Sequence, residues 1–255
     1  MRILVTNDDG IEAPGLCALA DALGALGEVW CVAPDRERSA VSRAVTMSRP
    51  LRATALGPRR IAVDGTPTDC VYLALHRLLP APPELVASGI NRGPNVGDDV
   101  SYSGTVAAAA EASMTGLPAF AISLDDRGDH GDYGPAARFA VAIGRILADR
   151  GMPDRSFLNV NVPGSGASEP LRYAMTSLGR RCYPQEVEQR LDPRGRPYYW
   201  IGGSNPGVCE DLPGSDGNAL ARGVVSITPL KTDATAGDQL DLVGAWPIEG
   251  FEREA

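Results

Sequence analysis

The chain has 255 residues, enough for one large α/β domain or for a domain with a smaller appendage. With 44% hydrophobic, 22% charged and only 5% aromatic residues it has the balance of an ordinary soluble protein, whose core must rest on Ala, Val, Leu and Ile. A net charge of -8 with no dense Lys/Arg cluster excludes a track for long nucleic acid, whereas a small anionic substrate needs only a few placed donors.

Residues 2–6 read as a buried strand, too short for a signal-peptide core or a membrane span. The polar turn Asn7-Asp8-Asp9-Gly10 follows. Leu16, Leu19, Ala20, Leu23 and Leu26 share one helical face, and Gly27 is placed to end that helix. A second strand over 29–33 is stopped by Pro34 and leads into a polar loop carrying Asp35, Arg36, Arg38 and Ser39. After a short strand at 60–63, Thr66-Pro67-Thr68-Asp69 has the form of a helix start, with Thr66 as cap, Pro67 at the first position and Asp69 facing the free amides. That helix runs toward Leu79. A strand over 85–88 leads into Gly89-Ile90-Asn91.

Ser103-Gly104-Thr105 opens an Ala-rich helix ending near Gly116. A strand at 119–124, a helix at 136–150 closed by Gly151, and a strand at 157–162 follow. Strands alternating with helices predict a parallel sheet covered on both faces, a three-layer α/β/α Rossmann-like core over 1–165. Residues 166–255 form the remainder. Within them 180–216 reads as a Gly/Pro-rich extended hairpin or arm with Tyr183, Tyr198, Tyr199 and Trp200, and 224–228 as one more strand. The five cysteines are odd in number and contain no CxxC pair, which points to a reduced, cytoplasmic setting.

Ligands of open parallel sheets bind at the carboxyl ends of the strands. Asp8 and Asp9, Ser39 and Asn91 all follow predicted strands. A bare Asp-Asp-Gly reads as a solvated turn, but adjacent carboxylates repel unless a cation neutralises them. Together with a hydroxyl and an amide oxygen at matching strand ends, the pair favours one hard divalent cation, Mg²⁺, Mn²⁺ or Ca²⁺, over zinc, with Mg²⁺ or Mn²⁺ expected. Neither of the two histidines, His76 and His130, sits in this cluster. Downstream, Asn91-Arg92-Gly93-Pro94-Asn95-Val96-Gly97 and the start Ser103-Gly104-Thr105 combine close backbone approach with helix-start amides, an anion site. For Ser103 an ordinary helix cap is an equal alternative.

Four segments carry a resemblance. Val5-Thr6-Asn7-Asp8-Asp9-Gly10-Ile11-Glu12-Ala13-Pro14-Gly15 is similar to the amino-terminal signature of the survival protein E nucleotidases. Val32-Ala33-Pro34-Asp35-Arg36-Glu37-Arg38-Ser39, Gly65-Thr66-Pro67-Thr68-Asp69-Cys70-Val71, and Ser88-Gly89-Ile90-Asn91-Arg92-Gly93-Pro94-Asn95 with Tyr102-Ser103-Gly104-Thr105-Val106 resemble its further motifs, in family order and spacing. The resemblance is dense over the first half of the chain and looser beyond.

It implies a metal-dependent hydrolase of nucleoside 5′- and 3′-monophosphates, with polyphosphate shortening in some members. It also implies a carboxyl-terminal extension that helps build a homodimer or homotetramer. The family's metal ligands fall on Asp8, Asp9, Ser39 and Asn91, and its substrate contacts on Asn95, Ser103, Gly104 and Thr105. One of the two aspartates would accept the proton of the attacking water. Where some relatives carry an Asp and, four residues on, a His, this chain has Asp233 and Gly237. The alternative of another class is a phosphorylation-dependent receiver domain, which shares an acidic pair and a late lysine (here Lys231, the only lysine). A receiver, however, needs an acceptor Asp where this chain has Asn91.

Overall fold

The computed structural model describes residues 1–126, 131–164, 170–182, 187–201 and 208–245. Its strands are β1 (Arg2–Thr6), β2 (Glu28–Pro34), β3 (Ala53–Gly57), β4 (Arg60–Val63), β5 (Leu85–Arg92), β6 (Ala119–Asp125), β7 (Ser156–Pro163), β8 (Tyr173–Met175), β9 (Arg181–Cys182), β10 (Val187–Leu191), β11 (Pro197–Ile201), β12 (Val208–Cys209) and β13 (Val225–Lys231). The helices are α1 (Pro14–Leu23), α2 (Pro67–Leu73), α3 (Gly104–Met114), α4 (Gly134–Arg150), α5 (Asp216–Ala221) and α6 (Leu240–Gly244).

One nine-stranded sheet in the order β3-β4-β2-β1-β5-β6-β7-β13-β8 forms the middle layer. The run from β4 to β7 is parallel, as the alternating pattern predicts, but β3 and β13 are antiparallel to β4 and β7 and make the sheet mixed. Strand alternation divides the core in two. Ile3 and Val5 of β1 face the cluster built with Leu16, Leu19 and Leu23 of α1 and Ile143 and Leu147 of α4. Leu4 faces the opposite cluster, with Val71 of α2 and Val106, Ala108, Ala109 and Ala112 of α3. The near-continuous run of small apolar residues in α3 fits a helix buried between α2 and the sheet.

Several boundaries differ from expectation for identifiable reasons. Helix α1 ends at Leu23, capped by Gly24, not at Gly27. A Cβ at Gly27 would lie 2.1 Å from the Met1 carbonyl oxygen, so this glycine serves the close approach of the chain to β1. Strand β5 runs to Arg92 and so includes Asn91. Strand β3 escapes sequence reading because its five residues are fully exposed and alternate no hydrophobic face; it exists by pairing with β4. His130 and Tyr183 lie outside the described residues.

β1 pairs in parallel with both β2 and β5. The chain therefore leaves β1 toward one side of the sheet and returns on the other. A crevice opens at that reversal, beyond the carboxyl ends of the two strands.

Candidate active site

The turn after β1 is shaped by its own amide side chain. Asn7 is fully buried; its Nδ2 donates to the Gly10 carbonyl at 3.0 Å and its Oδ1 accepts the Gly10 N–H at 3.2 Å. Gly10 has φ +106, and a Cβ there would lie 3.1 Å from the Arg36 backbone. Asn7 thus builds the turn, while Asp8 and Asp9 are turned outward. The Arg38 N–H donates to the Asp8 carbonyl at 2.7 Å and the Ile11 N–H to that of Pro34 at 2.8 Å, tying the loop that carries Ser39 to the same turn.

The Ser39 loop has a second anchor at α2. Thr66 and Asp69 form the predicted reciprocal cap. The buried Asp69 carboxylate also accepts the Thr46 N–H at 2.9 Å and the Thr46 hydroxyl at 2.6 Å, and the Thr66 hydroxyl donates to the Ala44 carbonyl at 2.7 Å. The helix start read from sequence therefore fixes the far end of the site loop.

Asp8, Asp9, Ser39, Asn91, Asn95 and Ser103 line one cavity of about 700 Å³. Asn91 donates from Nδ2 to the Gly93 carbonyl at 2.7 Å, which leaves its Oδ1 directed inward, 3.4 Å from the Thr105 hydroxyl. That same hydroxyl donates to Asp8 Oδ1. Ser39 is exposed and donates to Glu37 Oε1 at 2.8 Å.

Gly104 and Thr105, expected as substrate contacts, lie against Asp8 at the start of α3. Thr105 is fully buried, and the backbone amides of both residues lie close enough to the Asp8 carboxylate to lower its pKa. A Cβ at Gly104 would lie 2.8 Å from Cβ of Asp8. The start of α3 thus presents its amides to a side-chain carboxylate, an anion already in the chain. Ser103 takes the cap position, accepting the Val106 N–H at 3.1 Å.

Burial raises the Asp8 carboxyl above the ordinary carboxylate range, against the hydrogen bonds that lower it. Asp9 is raised to about 6, first by burial and then by the charge of Asp8. Among the described residues neither carboxylate forms an ion pair with a lysine or arginine side chain; the Arg92 N–H approaches Asp9 Oδ2 at 3.4 Å. Two neighbouring carboxylates, with the more distant charge of Arg92 as only partial compensation at Asp9, an amide oxygen and a hydroxyl form a hard-oxygen donor set that fits a divalent cation.

The model of the Survival protein SurE family matches residues 3–185. The chain belongs to the SurE family. It is 52% identical to the 5′-nucleotidase SurE of Geotalea uraniireducens over 97% of this chain and 100% of that one. It is 51% identical to the 5′-nucleotidase SurE of Geobacter sulfurreducens over 100% of this chain and 97% of that one. The crystal structure of the SurE protein from Aquifex aeolicus superimposes with a TM-score of 0.82 at 37% identity, covering 95% of this chain and 98% of that one.

Several cavity residues were not legible beforehand. Tyr133 reaches the cavity from the start of α4, and Glu37 and Asp99 add carboxylates to its wall. Nothing local marks Tyr133, since its place depends on how α4 packs. Ser123, Asn159 and Asn161 lie behind the cavity, fully buried. A signal for the last two was present: Asn-Val-Asn-Val within a buried strand puts amides on one face where aliphatic residues are the rule. Asp233 accepts the Thr235 N–H at 2.9 Å, and neither it nor Gly237 lines the cavity.

Proposed function

We propose that this chain is a divalent-metal-dependent phosphomonoesterase that hydrolyses nucleoside 5′- and 3′-monophosphates. The observation that carries the reading is the adjacent Asp8–Asp9 carboxylate couple, which forms no side-chain ion pair among the described residues, sharing one cavity with Asn91 and Ser39. Asp8, Asp9, Ser39 and Asn91 would hold one cation, Mg²⁺ or Mn²⁺. Bound there, such a cation supplies Lewis acidity to a phosphate oxygen and lowers the pKa of a coordinated water.

The chain's own groups divide the remaining work. Thr105 and the first amides of α3 hold the Asp8 carboxylate in one orientation. Asp9, only half-buried and lining the cavity, would take the proton of the attacking water. Asn95 and Ser103 offer polar contacts to the substrate, and the Tyr102 and Tyr133 rings give the cavity an apolar wall for a nucleoside. The names of the relatives support the nucleotide preference. A receiver role has no support: β5 ends in Asn91 and Arg92, and Lys231 lines a different cavity.

The region after 165 completes the sheet through β8 and β13, and we assign its β10–β11 hairpin to assembly of a homodimer or homotetramer. Among the described residues no helix is long and apolar enough to cross a membrane. The free thiols of Cys17, Cys31, Cys70 and Cys209 support placement in the cytoplasm.

The test is steady-state phosphate release from AMP with Mg²⁺ or Mn²⁺, with excess chelator, and with a cyclic nucleotide in place of AMP. Activity should vanish with chelator and return with metal. D8N and D9N should each lose more than about tenfold in kcat, roughly 1.4 kcal/mol of barrier. Full turnover in chelator, or faster cleavage of the cyclic nucleotide, would overturn the reading.

A further inference from the structure

Behind the cavity, four strands carry polar residues in register. Asn91 of β5 pairs with Ser123 of β6, Ser123 with Asn161 of β7, and Asn161 with Ser226 of β13. Their neighbours in sequence, Ile122, Leu124, Val160 and Val162, enter the core on the α1–α4 side of the sheet. The opposite face of the same strand ends is therefore polar, although Ser123, Asn161 and Ser226 are as buried as that core. A buried carboxamide is costly unless its donors and acceptor are met, so the partners of these side chains show what the polar face serves.

Those of Ser123, Asn161 and its strand neighbour Asn159 converge on one residue. Asn161 Oδ1 accepts the Asn95 N–H at 2.8 Å, and Asn161 Nδ2 donates to the Asn95 carbonyl at 3.0 Å. Asn159 Nδ2 donates to that carbonyl at 2.8 Å. The Asn95 side chain in turn donates from Nδ2 to Ser123 Oγ at 2.8 Å. Asn95 lies in a stretch without regular structure between Gly93 at φ +102 and Gly97 at φ +54, so no ladder or helix holds its backbone. The row of amides and hydroxyl supplies what secondary structure does not. With Nδ2 on Ser123, the Asn95 amide oxygen is left for the cavity that the residue lines.

We propose that Ser123 and Asn161 are positioning residues of the hydrolysis, acting through Asn95. Asn161 sets the backbone of Asn95 and Ser123 sets the rotation of its carboxamide, so that Asn95 meets the substrate already oriented. This rests on the cavity being the nucleotidase site; Ser123 and Asn161 themselves touch neither substrate nor cation.

The experiment is a double-mutant cycle in AMP hydrolysis with Mn²⁺, with melting temperature recorded for every variant. S123A removes a single buried oxygen and should lower kcat/KM by about tenfold. In the N95A background the same change should have no further effect, because the group it positions is gone. N161A should behave likewise, and by hydrogen exchange it should speed exchange of the peptide containing Asn95 in the protein without substrate. Should N161A fail to fold, S123A decides the matter. Wild-type kcat/KM in S123A, or an equal loss with and without Asn95, would overturn the proposal. An inactive wild-type protein in the same assay would instead overturn the nucleotidase reading, while unchanged exchange around Asn95 in N161A would still refute the clamp.

Discussion

Asp8 and Asp9 are neighbours in sequence with unequal surroundings. Asp8 sits under the start of α3, where its carboxylate accepts the Thr105 hydroxyl and the nearby amides of Gly104, Thr105 and Asp8 itself favour its charged form. Asp9 meets the cavity with little but the Arg92 N–H beside it. In the metal-free protein Asp9 titrates at about 6, against 3.8 for an ordinary aspartate. The folded state thus binds this proton more tightly than the unfolded chain does. Its contribution to stability is complete below about pH 3.8 and is lost as pH rises through about 6. D9N removes the titration. In excess chelator the melting temperature of D9N relative to wild type should therefore rise between pH 4 and pH 7.5, and saturating Mg²⁺ should reverse the order at pH 7.5 by binding the wild-type site more tightly. A difference that stays constant with pH in chelator would contradict the assignment of the strain to this carboxylate.

At the scale of elements, the site is assembled by the ends of helices as much as by the ends of strands. α2 is short, seven residues, yet its cap reaches into the loop behind Ser39 through Asp69. Asp69→Ala would strand three donors at once: the Thr46 N–H, the Thr46 hydroxyl and the Thr66 N–H. The expected loss is on the order of 3 kcal/mol in urea unfolding, from the lost cap plus the unmet donors. Its kcat should fall as well, since the loop carrying Ser39 is released. A variant with unchanged stability would mean that the loop finds other partners.

At the scale of the whole molecule, the β10–β11 hairpin stands outside the central sheet, and among the described residues its two strands pair only with each other. Its register puts Val187, Leu191, Tyr199 and Ile201 on one face, and Ile201 is 91% exposed. The other face carries the Glu188–Arg190 ion pair beside Tyr198 and Trp200. A lone two-stranded hairpin is marginal in water, and one with an apolar face gains most by burying it. Light scattering at micromolar concentration should show a homodimer or larger, and I201D should shift the population toward monomer. A wild-type monomer under those conditions would remove the hairpin from assembly.

Much of this was present in the order of residues. The alternation of strands and helices required a covered parallel sheet, because apolar runs at both periods need two faces to bury against. Thr66-Pro67-Thr68-Asp69 specified its own cap, since the chemistry is completed within four residues. The acidic pair after a first strand, with a hydroxyl and an amide after two others, pointed to residues that do share one cavity at the carboxyl ends of the strands. Tertiary structure decided what depends on distance along the chain. Whether the α3 amides face a substrate or Asp8 turns on a contact 97 residues long between Asp8 and Thr105. The antiparallel entry of β13 and the pairing of β3 are set by neighbours and not by their own patterns. The partner of Asn161 lies 66 residues away, and only packing brings the Asn95 loop onto that strand. Local sequence specifies elements, caps and turns because their hydrogen bonds close within a few residues. The direction of a buried hydroxyl or amide is chosen by whichever distant group the fold sets against it.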